Sequence, residues 1–359
     1  MKVKFIVLDI TLKGGIERVT TLLANGFNNS GVDVEIISVF KKNEEVQFPI
    51  NDIVDVNYLT KSTYNTNGVI NKIKTYIVLF FNLYKLTNKL DINSIVISNY
   101  PNISIFLGFI RKFKRKFNFI ASEHSQYAAH SKLISFLRCF FYKEAKFIVT
   151  LTEHDKKIFS KFFGSKKVVK IPNPVSFKTT DRSSSIANKK LITIGRLEDV
   201  KGYMELIDSI KLFFYKNPDW NLEIYGDGSL RNALENKIID NRLCDNVFLK
   251  GFSNNLETDL KGASFYICSS KTEAFPMSFL EVLSMGIPVI SLDCPVGPRE
   301  IIKNNRNGFL VDNLECMNNK LLSIVNYDNY TTLATNSVNS IKKYDMKKIS
   351  EKWFKLFDE

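Results

Sequence analysis

The sequence predicts an α/β protein made of two doubly wound parallel sheets. Three observations lead there. At 359 residues the chain exceeds one ordinary core, so two domains of about 170 residues each are expected, and its 45% apolar content is enough to fill both. Short β-branched runs alternate with helical patterns from end to end, as in parallel strands covered by helices. The alternation then stops and restarts. IPNPVSF, Ile171 to Phe177, and a polar run to Lys190 interrupt it with prolines and a Ser/Thr/Asn cluster, the marks of a domain boundary.

Taken in order, VKFIVLDI is a first strand, followed by a Gly-rich turn and an amphipathic helix ending near Gly31, then by VDVEIISVF as a second strand. Further strands are expected at Ser94–Ser98, Phe117–Ser122, Phe147–Leu151 and Val168–Ile171. Helices fill the gaps, one near Ser131–Lys143 carrying aromatics and lysines together. This gives a first domain over 1–172 and a linker over 173–190. The second domain, 191–342, restarts with KLITIGRL, a strand into a turn. A helix from Gly202, the strand NLEIYG, a helix from Ser229 and the strand NVFLKG follow. After a short helix come the strand ASFYICS, an apolar helix and the strand IPVIS; NGFLVD adds an edge strand and helices close the chain.

Composition narrows the function classes. The five cysteines are scattered singly, without C-x-x-C or Cys/His spacing, which argues for a reducing cytoplasm and against a disulfide frame or a zinc site. The N-terminal apolar stretch is cut by Asp9, too short for a signal peptide. The longest apolar stretch elsewhere, Tyr76 to Tyr84, falls far below the ~20 residues that span a bilayer. A net charge of +13 suits nucleic acid, an anionic membrane surface or phosphate-rich ligands. No helix-turn-helix or RNP-type string supports nucleic acid. Basic residues interleaved with Phe, as in RKFKRKF (Arg111, Lys112, Lys114, Arg115, Lys116), fit a headgroup-contacting surface, the alternative being a solvated basic face with no partner.

The chemistry concentrates in SKTEAFPMSFLEVLSMGIPVIS, Ser270 to Ser291. It reads as loop, short apolar helix, stop and buried strand. Pro276 suits the first helical position and Gly286 the residue just past the end. Glu273 and Glu281 bracket an otherwise apolar segment, and eight residues of helix span about 12 Å. That is the length of a sugar–diphosphate–ribose ligand. An ordinary glycosidase is disfavoured, since its carboxylates lie within ~10 Å across one bond. The structural alternative makes Glu273 a helix cap and Glu281 half of an ion pair.

Breaking a sugar–diphosphate bond leaves negative charge on the phosphates. The sequence has no D-x-D string to hold a metal there. GRLEDVKG instead offers Arg196 at a strand end and Lys201 at a helix start, flanked by Gly195 and Gly202; Arg can fork onto phosphate oxygens while Lys acts as a point charge. GDG, Gly226 to Gly228, follows a strand and is either a ligand loop or an ordinary turn. In the first half, Gly14 and Gly15 stand between strand and helix, where backbone N–H groups can meet a ligand, but the string is no dinucleotide fingerprint. His124 follows the strand FNFIAS, at the end of a sheet where ligands sit, although a lone His is more often structural.

Together these strings resemble the retaining GT-B glycosyltransferases of family 4, bacterial surface-polysaccharide type. The carriers are the E-x7-E spacing of Glu273 and Glu281, the G-R-x4-K-G form of GRLEDVKG, the G-G-x-E-R form of GGIER and the loop DCPVGPREI with Gly297 and Glu300. The resemblance implies two Rossmann-like domains facing across a cleft, with the terminal helix, 343–359, packing back on the first. By the same resemblance Glu273 contacts donor-sugar hydroxyls, Glu281 holds the ribose, and Arg196 and Lys201 bind the diphosphate. Gly15, Gly226, Phe252 and the backbone of Ala274, Phe275, Pro276 and Met277 line the donor site, and His124 lies near the reacting sugar. Glu17 and Arg18 touch the acceptor or pack; Glu123 is a weaker candidate. The family usually has Gly where this chain has Ala274, and a positive φ there would strain it.

The implied reaction is metal-independent and moves a hexose or N-acetylhexosamine from a UDP-linked nucleotide sugar, with retention, to a lipid-linked or polysaccharide acceptor at the cytoplasmic membrane face. A sugar-nucleotide epimerase, a glycoside phosphorylase and a basic nucleic-acid-binding protein are the competing readings.

Overall fold

In the computed structural model the chain divides into two compact units, Met1–Pro174 with Met346–Glu359, and Val175–Asp345. The structure describes all residues except 92, 115–116, 178–183 and 254. Arg115 and Lys116 of the basic run, and the middle of the expected linker, therefore lie outside the described residues.

The first unit is a seven-stranded parallel sheet in the order β3-β2-β1-β4-β5-β6-β7. Its elements are β1 (Lys2–Val7), α1 (Gly15–Asn29), β2 (Asp33–Ser38), β3 (Asp55–Tyr58), α2 (Val69–Thr87), β4 (Ile95–Ser98), α3 (Pro101–Phe113), β5 (Asn118–Glu123), α4 (Lys132–Phe141), β6 (Phe147–Thr150), α5 (Glu153–Phe163) and β7 (Val168–Lys170). The inner strands are buried on both faces, which is why they read as near-continuous apolar runs. The order reverses between β1 and β4, so loops leaving those two strands diverge and open a crevice at their C-terminal ends. Edge strand β3, DVNY, carries no β-branched run and is not among the strands expected from sequence. It forms only because β2 offers it a free edge.

The second unit is a six-stranded parallel sheet, β10-β9-β8-β11-β12-β13. It comprises β8 (Lys190–Ile194), α6 (Tyr203–Ser209), α7 (Lys211–Lys216), β9 (Asn221–Tyr225), α8 (Arg231–Asp240), β10 (Val247–Gly251), α9 (Leu256–Asp259), β11 (Phe265–Cys268), α10 (Met277–Ser284), β12 (Val289–Leu292), α11 (Gly297–Ile301), β13 (Gly308–Val311), α12 (Leu314–Ile324) and α13 (Tyr330–Ile341). Its switch point lies between β8 and β11. The helix expected from Gly202 is split at Ile210 into α6 and α7.

Helix α14 (Met346–Asp358) returns the chain to the first unit. Ile349, Trp353 and Leu356 are buried at helical spacing, and Trp353, Phe354 and Phe357 surround Phe27 of α1 at centroid distances of 6.2, 5.3 and 5.8 Å. A side chain of that size contributes about 1.5–3 kcal/mol on full burial. Gly26 makes room for the helix: a Cβ there would stand 2.3 Å from Met346 Sδ. The helix begins at 346 and not at 343, because Tyr344 is held in the second unit, its ring 5.6 Å from Phe275. Much of the expected linker is likewise built into the second unit. Ser176 Oγ donates to Glu281 at 2.7 Å and Ser184 Oγ to the Gly286 carbonyl at 2.6 Å.

Candidate active site

Every motif singled out in the second half of the sequence emerges at the C-terminal end of its sheet. GRLEDVKG follows β8, GDG follows β9, Phe252 follows β10, SKTEAFPM follows β11 and DCPVG follows β12. The first and fourth meet at the switch point, where Lys201 Nζ donates to Glu273 Oε1 at 2.6 Å. Two backbone-level links hold the loops together. Ser269 Oγ donates to the Lys201 carbonyl at 2.8 Å, and Lys271 N to the Val200 carbonyl at 2.9 Å. Lys201 closes a short 3-10 turn, Asp199–Lys201, one residue before the N-cap of α6, rather than opening the helix itself. Gly202 is required there: its φ is +65°, and a Cβ would stand 2.4 Å from the Ser269 carbonyl oxygen. Arg196, two residues past β8 on the same loop as Lys201, is exposed. One cation–carboxylate pair thus joins the two loops, and a second, exposed cation stands on the first of them.

Gly226 (φ +140°) lies against the Gly195 backbone, where a Cβ would come within 1.9 Å of the carbonyl oxygen. Its N–H donates to the Gly251 carbonyl at 2.8 Å, which brings the GDG loop beside Phe252, half exposed.

Glu273 is also gripped through its backbone: Gly297 N donates to its carbonyl at 2.9 Å. The residue before, Val296, has φ +78° and ψ −73°, and Gly297 N also reaches the Pro295 carbonyl at 3.2 Å. That is a γ-turn of the strained hand centred on a β-branched residue. Ala274 has no positive φ and carries no such strain; the positive φ lies at Val296, the bridge partner of Glu273. Pro276 serves as the N-cap of α10, not its first residue, and Met277 opens the helix; Phe275 is buried against Tyr344. Gly286 (φ +74°) ends the helix as expected. Glu281, 1% exposed, is held by Ser176.

In the first unit Gly14 is the N-cap of α1 and Gly15 its first residue. A Cβ at Gly14 would collide with Glu17 Oε2, whereas one at Gly15 would meet nothing within 4 Å. Gly15 therefore borders open space. Glu17 is 3% exposed and accepts from Tyr100 Oη. Burial, with the Asp9 carboxylate nearby, raises its pKa above the ordinary value. Asp9 itself is fully buried just past β1; its Oδ1 accepts from Thr11 N (3.0 Å) and Oγ1 (2.6 Å), while Oδ2 has no partner among the described residues. Asn99, just past β4, is equally buried and gives its amide to Thr20 Oγ1 at 2.7 Å, and its Oδ1 has no partner among the described residues. Asp9, Asn99 and Tyr100 thus flank the first sheet's switch point but are not among the residues expected from sequence. The available signal was a polar residue directly after each apolar run.

His124 sits at the end of β5 and shares a hydrogen bond with Ser122 Oγ at 3.1 Å. Burial lowers its pKa to about 4, so the ring is neutral at pH 7. Glu123 has a structural task. It and Arg138 are 1% and 0% exposed and pair at 2.8 Å, Tyr142 Oη donates to its other oxygen, and Arg138 Nη2 donates to the Tyr127 carbonyl at 2.9 Å. His130 bonds Ser125 Oγ and His154 lies exposed on α5.

Comparison with known proteins decides the family. The Glycosyltransferase Family 4 profile matches residues 13–178, and that of the Glycosyl transferases group 1 family matches 177–331. The chain belongs to the group 1 glycosyltransferases. As a member it is a hexosyltransferase of the GT-B fold. Among curated relatives of this glycosyltransferase, an uncharacterized glycosyltransferase of Haemophilus influenzae is 26% identical over 98% of each chain. The Campylobacter jejuni GalNAc-alpha-(1->4)-GalNAc-alpha-(1->3)-diNAcBac-PP-undecaprenol alpha-1,4-N-acetyl-D-galactosaminyltransferase is 28% identical, covering 100% of this chain and 99% of its own. Solved structures of TarM from S. aureus (TM-score 0.82, 17% identity, 100% of both chains) and of the pneumococcal O-GlcNAc transferase GtfA (0.81, 14%, 100% and 98%) share the fold.

Proposed function

We propose that this glycosyltransferase moves a hexose or N-acetylhexosamine from a UDP-sugar, with retention of configuration and without a metal, to a lipid-linked glycan acceptor. The observation that carries the reading is the Lys201–Glu273 contact at the second sheet's switch point, with Arg196 exposed on the same loop as Lys201. Glu273 would accept from donor-sugar hydroxyls, and Arg196 and Lys201 would receive the charge that builds on the diphosphate as the sugar–oxygen bond breaks. Glu281 would hold the ribose hydroxyls, Phe252 would offer its exposed ring to the base, and the amides at the start of α10 would meet the sugar and phosphate. The acceptor hydroxyl attacks the anomeric carbon from the leaving-group side, and its proton passes to the departing phosphate oxygen. No side chain then acts as a dedicated base. Neutral His124 is suited to hydrogen-bond a sugar hydroxyl without adding charge.

Support for the acceptor class comes from the C. jejuni relative, matched end to end, whose name carries a diphosphate-undecaprenol acceptor. Support for UDP comes from TarM and GtfA structures that contain it. The test is a panel of nucleotide sugars offered with a polyprenyl-diphosphate glycan, with products detected by mass. UDP-hexose or UDP-N-acetylhexosamine turnover in the presence of chelator is expected. Activity that vanishes under chelator and returns with manganese would refute the metal-free mechanism, and release of sugar phosphate from inorganic phosphate would make the protein a phosphorylase.

A further inference from the structure

Helices α2, α3 and α4 of the first unit present an apolar outer face that the fold does not cover. Helix α2 buries Leu79, Leu83 and Leu86 on its inner side, yet its outer side carries Ile70 (70% exposed), Ile73, Ile77, Phe81 (56%) and Tyr84. A helix apolar all round is normally enclosed; here one side is open. Phe109 and Phe113 (73%) continue the face on α3, and Leu133, Phe136 (65%) and Phe140 on α4, each set at one-turn or two-turn spacing. The rings touch in sequence. Phe80 bridges Phe81 and Phe109 (5.6 and 5.9 Å between centroids), Phe109 meets Phe113 and Phe141 (5.3 and 5.6 Å), and Phe141 meets Phe140 (5.5 Å). The contacting rings thus tie the outer faces of the three helices together, the kind of surface a free monomer rarely keeps without a use.

Its charge identifies the occupant. The three helices contain no Asp or Glu. Their Arg111 and Arg138 are spent inside the fold: Arg111 Nε donates to the Phe117 carbonyl (2.9 Å) and Nη1 pairs with Glu144 (3.1 Å), so it is no headgroup contact, contrary to the expectation from sequence. That leaves Lys72, Lys74, Lys85, Lys112 and Lys132, all exposed, as the charges rimming the patch. Lys112 Nζ lies 4.6 Å over the Phe140 ring, and Lys114 Nζ, from the segment after α3, 3.4 Å over Tyr84. Aliphatic stems therefore lie along the aromatics with ammonium heads at their rim. A second copy seated on this face by two-fold symmetry would bring the same lysines against themselves. An anionic bilayer instead accepts the aromatics at its interface and the lysines at its headgroups.

We infer that the outer face of α2, α3 and α4 is a docking surface for an anionic lipid bilayer. The inference agrees with a lipid-linked acceptor but is tested apart from it. The probe is flotation of the full chain with phosphatidylcholine vesicles containing or lacking phosphatidylglycerol, alongside the thermal shift given by UDP. Binding to the anionic vesicles is expected. The set Ile70→Ser, Phe81→Ser, Phe113→Ser and Phe136→Ser should abolish it, and Lys72→Gln, Lys74→Gln, Lys85→Gln and Lys112→Gln should weaken it by about fivefold per lysine removed. Both sets lie on the surface and should keep the UDP shift of the parent. Undiminished flotation of the Ser set, with or without salt sensitivity, would overturn the inference, as would absence of binding by the parent. Concentration-dependent dimerisation lost in the Ser set would reassign the patch to self-association. Failure of the UDP shift with flotation intact would count against the proposed donor and leave this surface standing.

Discussion

Lys201 Nζ and Glu273 Oε1 stand 2.6 Å apart although 72 residues separate them in the chain. Neither is fully buried, their side chains being 22% and 14% exposed. The pair is largely shielded from solvent, and its value for the chemistry lies in holding a cation and a hydroxyl acceptor at one point.

Lys201→Ala should lower the melting temperature, because Glu273 loses its cation in a part-buried setting, and should lower kcat/KM by about 10²–10³, the usual cost of losing a donor aimed at developing charge. Thermal melts and turnover of the preferred nucleotide sugar check both halves. A variant with near-parental turnover would remove Lys201 from the leaving-group role.

Glu281→Ala should abolish the stabilisation that UDP confers on the parent, since the ribose loses its carboxylate. Differential scanning fluorimetry with and without UDP is sufficient, and equal shifts in both proteins would end the ribose assignment.

Val296→Gly should stabilise the fold by about 1 kcal/mol or more by relieving its left-handed backbone. Gly297→Ala should do the reverse and depress donor turnover, because its Cβ would lie 2.3 Å from the Glu273 carbonyl oxygen. Denaturant midpoints compared with donor KM test the pair.

Glu123→Gln should cost about 3–5 kcal/mol by leaving the Arg138 charge buried and uncompensated. Replacing both partners, as Glu123→Leu with Arg138→Met, should be milder. Urea unfolding of the three proteins measures the difference.

The pH dependence carries opposite signs at two sites. Burial raises the folded-state pKa of Glu17 above its unfolded value of 4.5, so its contribution is full below that value and is lost as pH rises through the folded pKa. Glu17→Gln should therefore gain stability over the parent at neutral pH, the gain closing near pH 4. For His124 the folded pKa is lowered to about 4 from 6.5, so stability present above pH 6.5 is lost as pH falls toward 4. His124→Asn should flatten that acid limb. Melting temperatures across pH 4–8 report both.

Much of this arrangement is legible in the chain itself. The apolar strand runs, the glycines at 14, 15, 202, 226 and 286 and the E-x7-E spacing all act locally, through backbone conformation or periodicity. Strand β3 was not legible, because DVNY has no pattern of its own and takes its conformation from the neighbouring edge. The fate of Arg111 and Glu123 was equally hidden. A charged residue in a sequence does not reveal whether it will meet solvent or a buried counter-ion.

The sequence by itself determined two parallel-sheet units, the succession of their strands apart from β3, and the family of the chemistry, since periodicity and glycine placement are properties of short segments. Only the tertiary structure decided that Lys201 meets Glu273, that strain sits on Val296 and not Ala274, and that three helices leave an aromatic, lysine-rimmed face open. Each of these depends on which loops the sheet order brings together, and contacts between residues distant in the chain are set by packing, not by local preference.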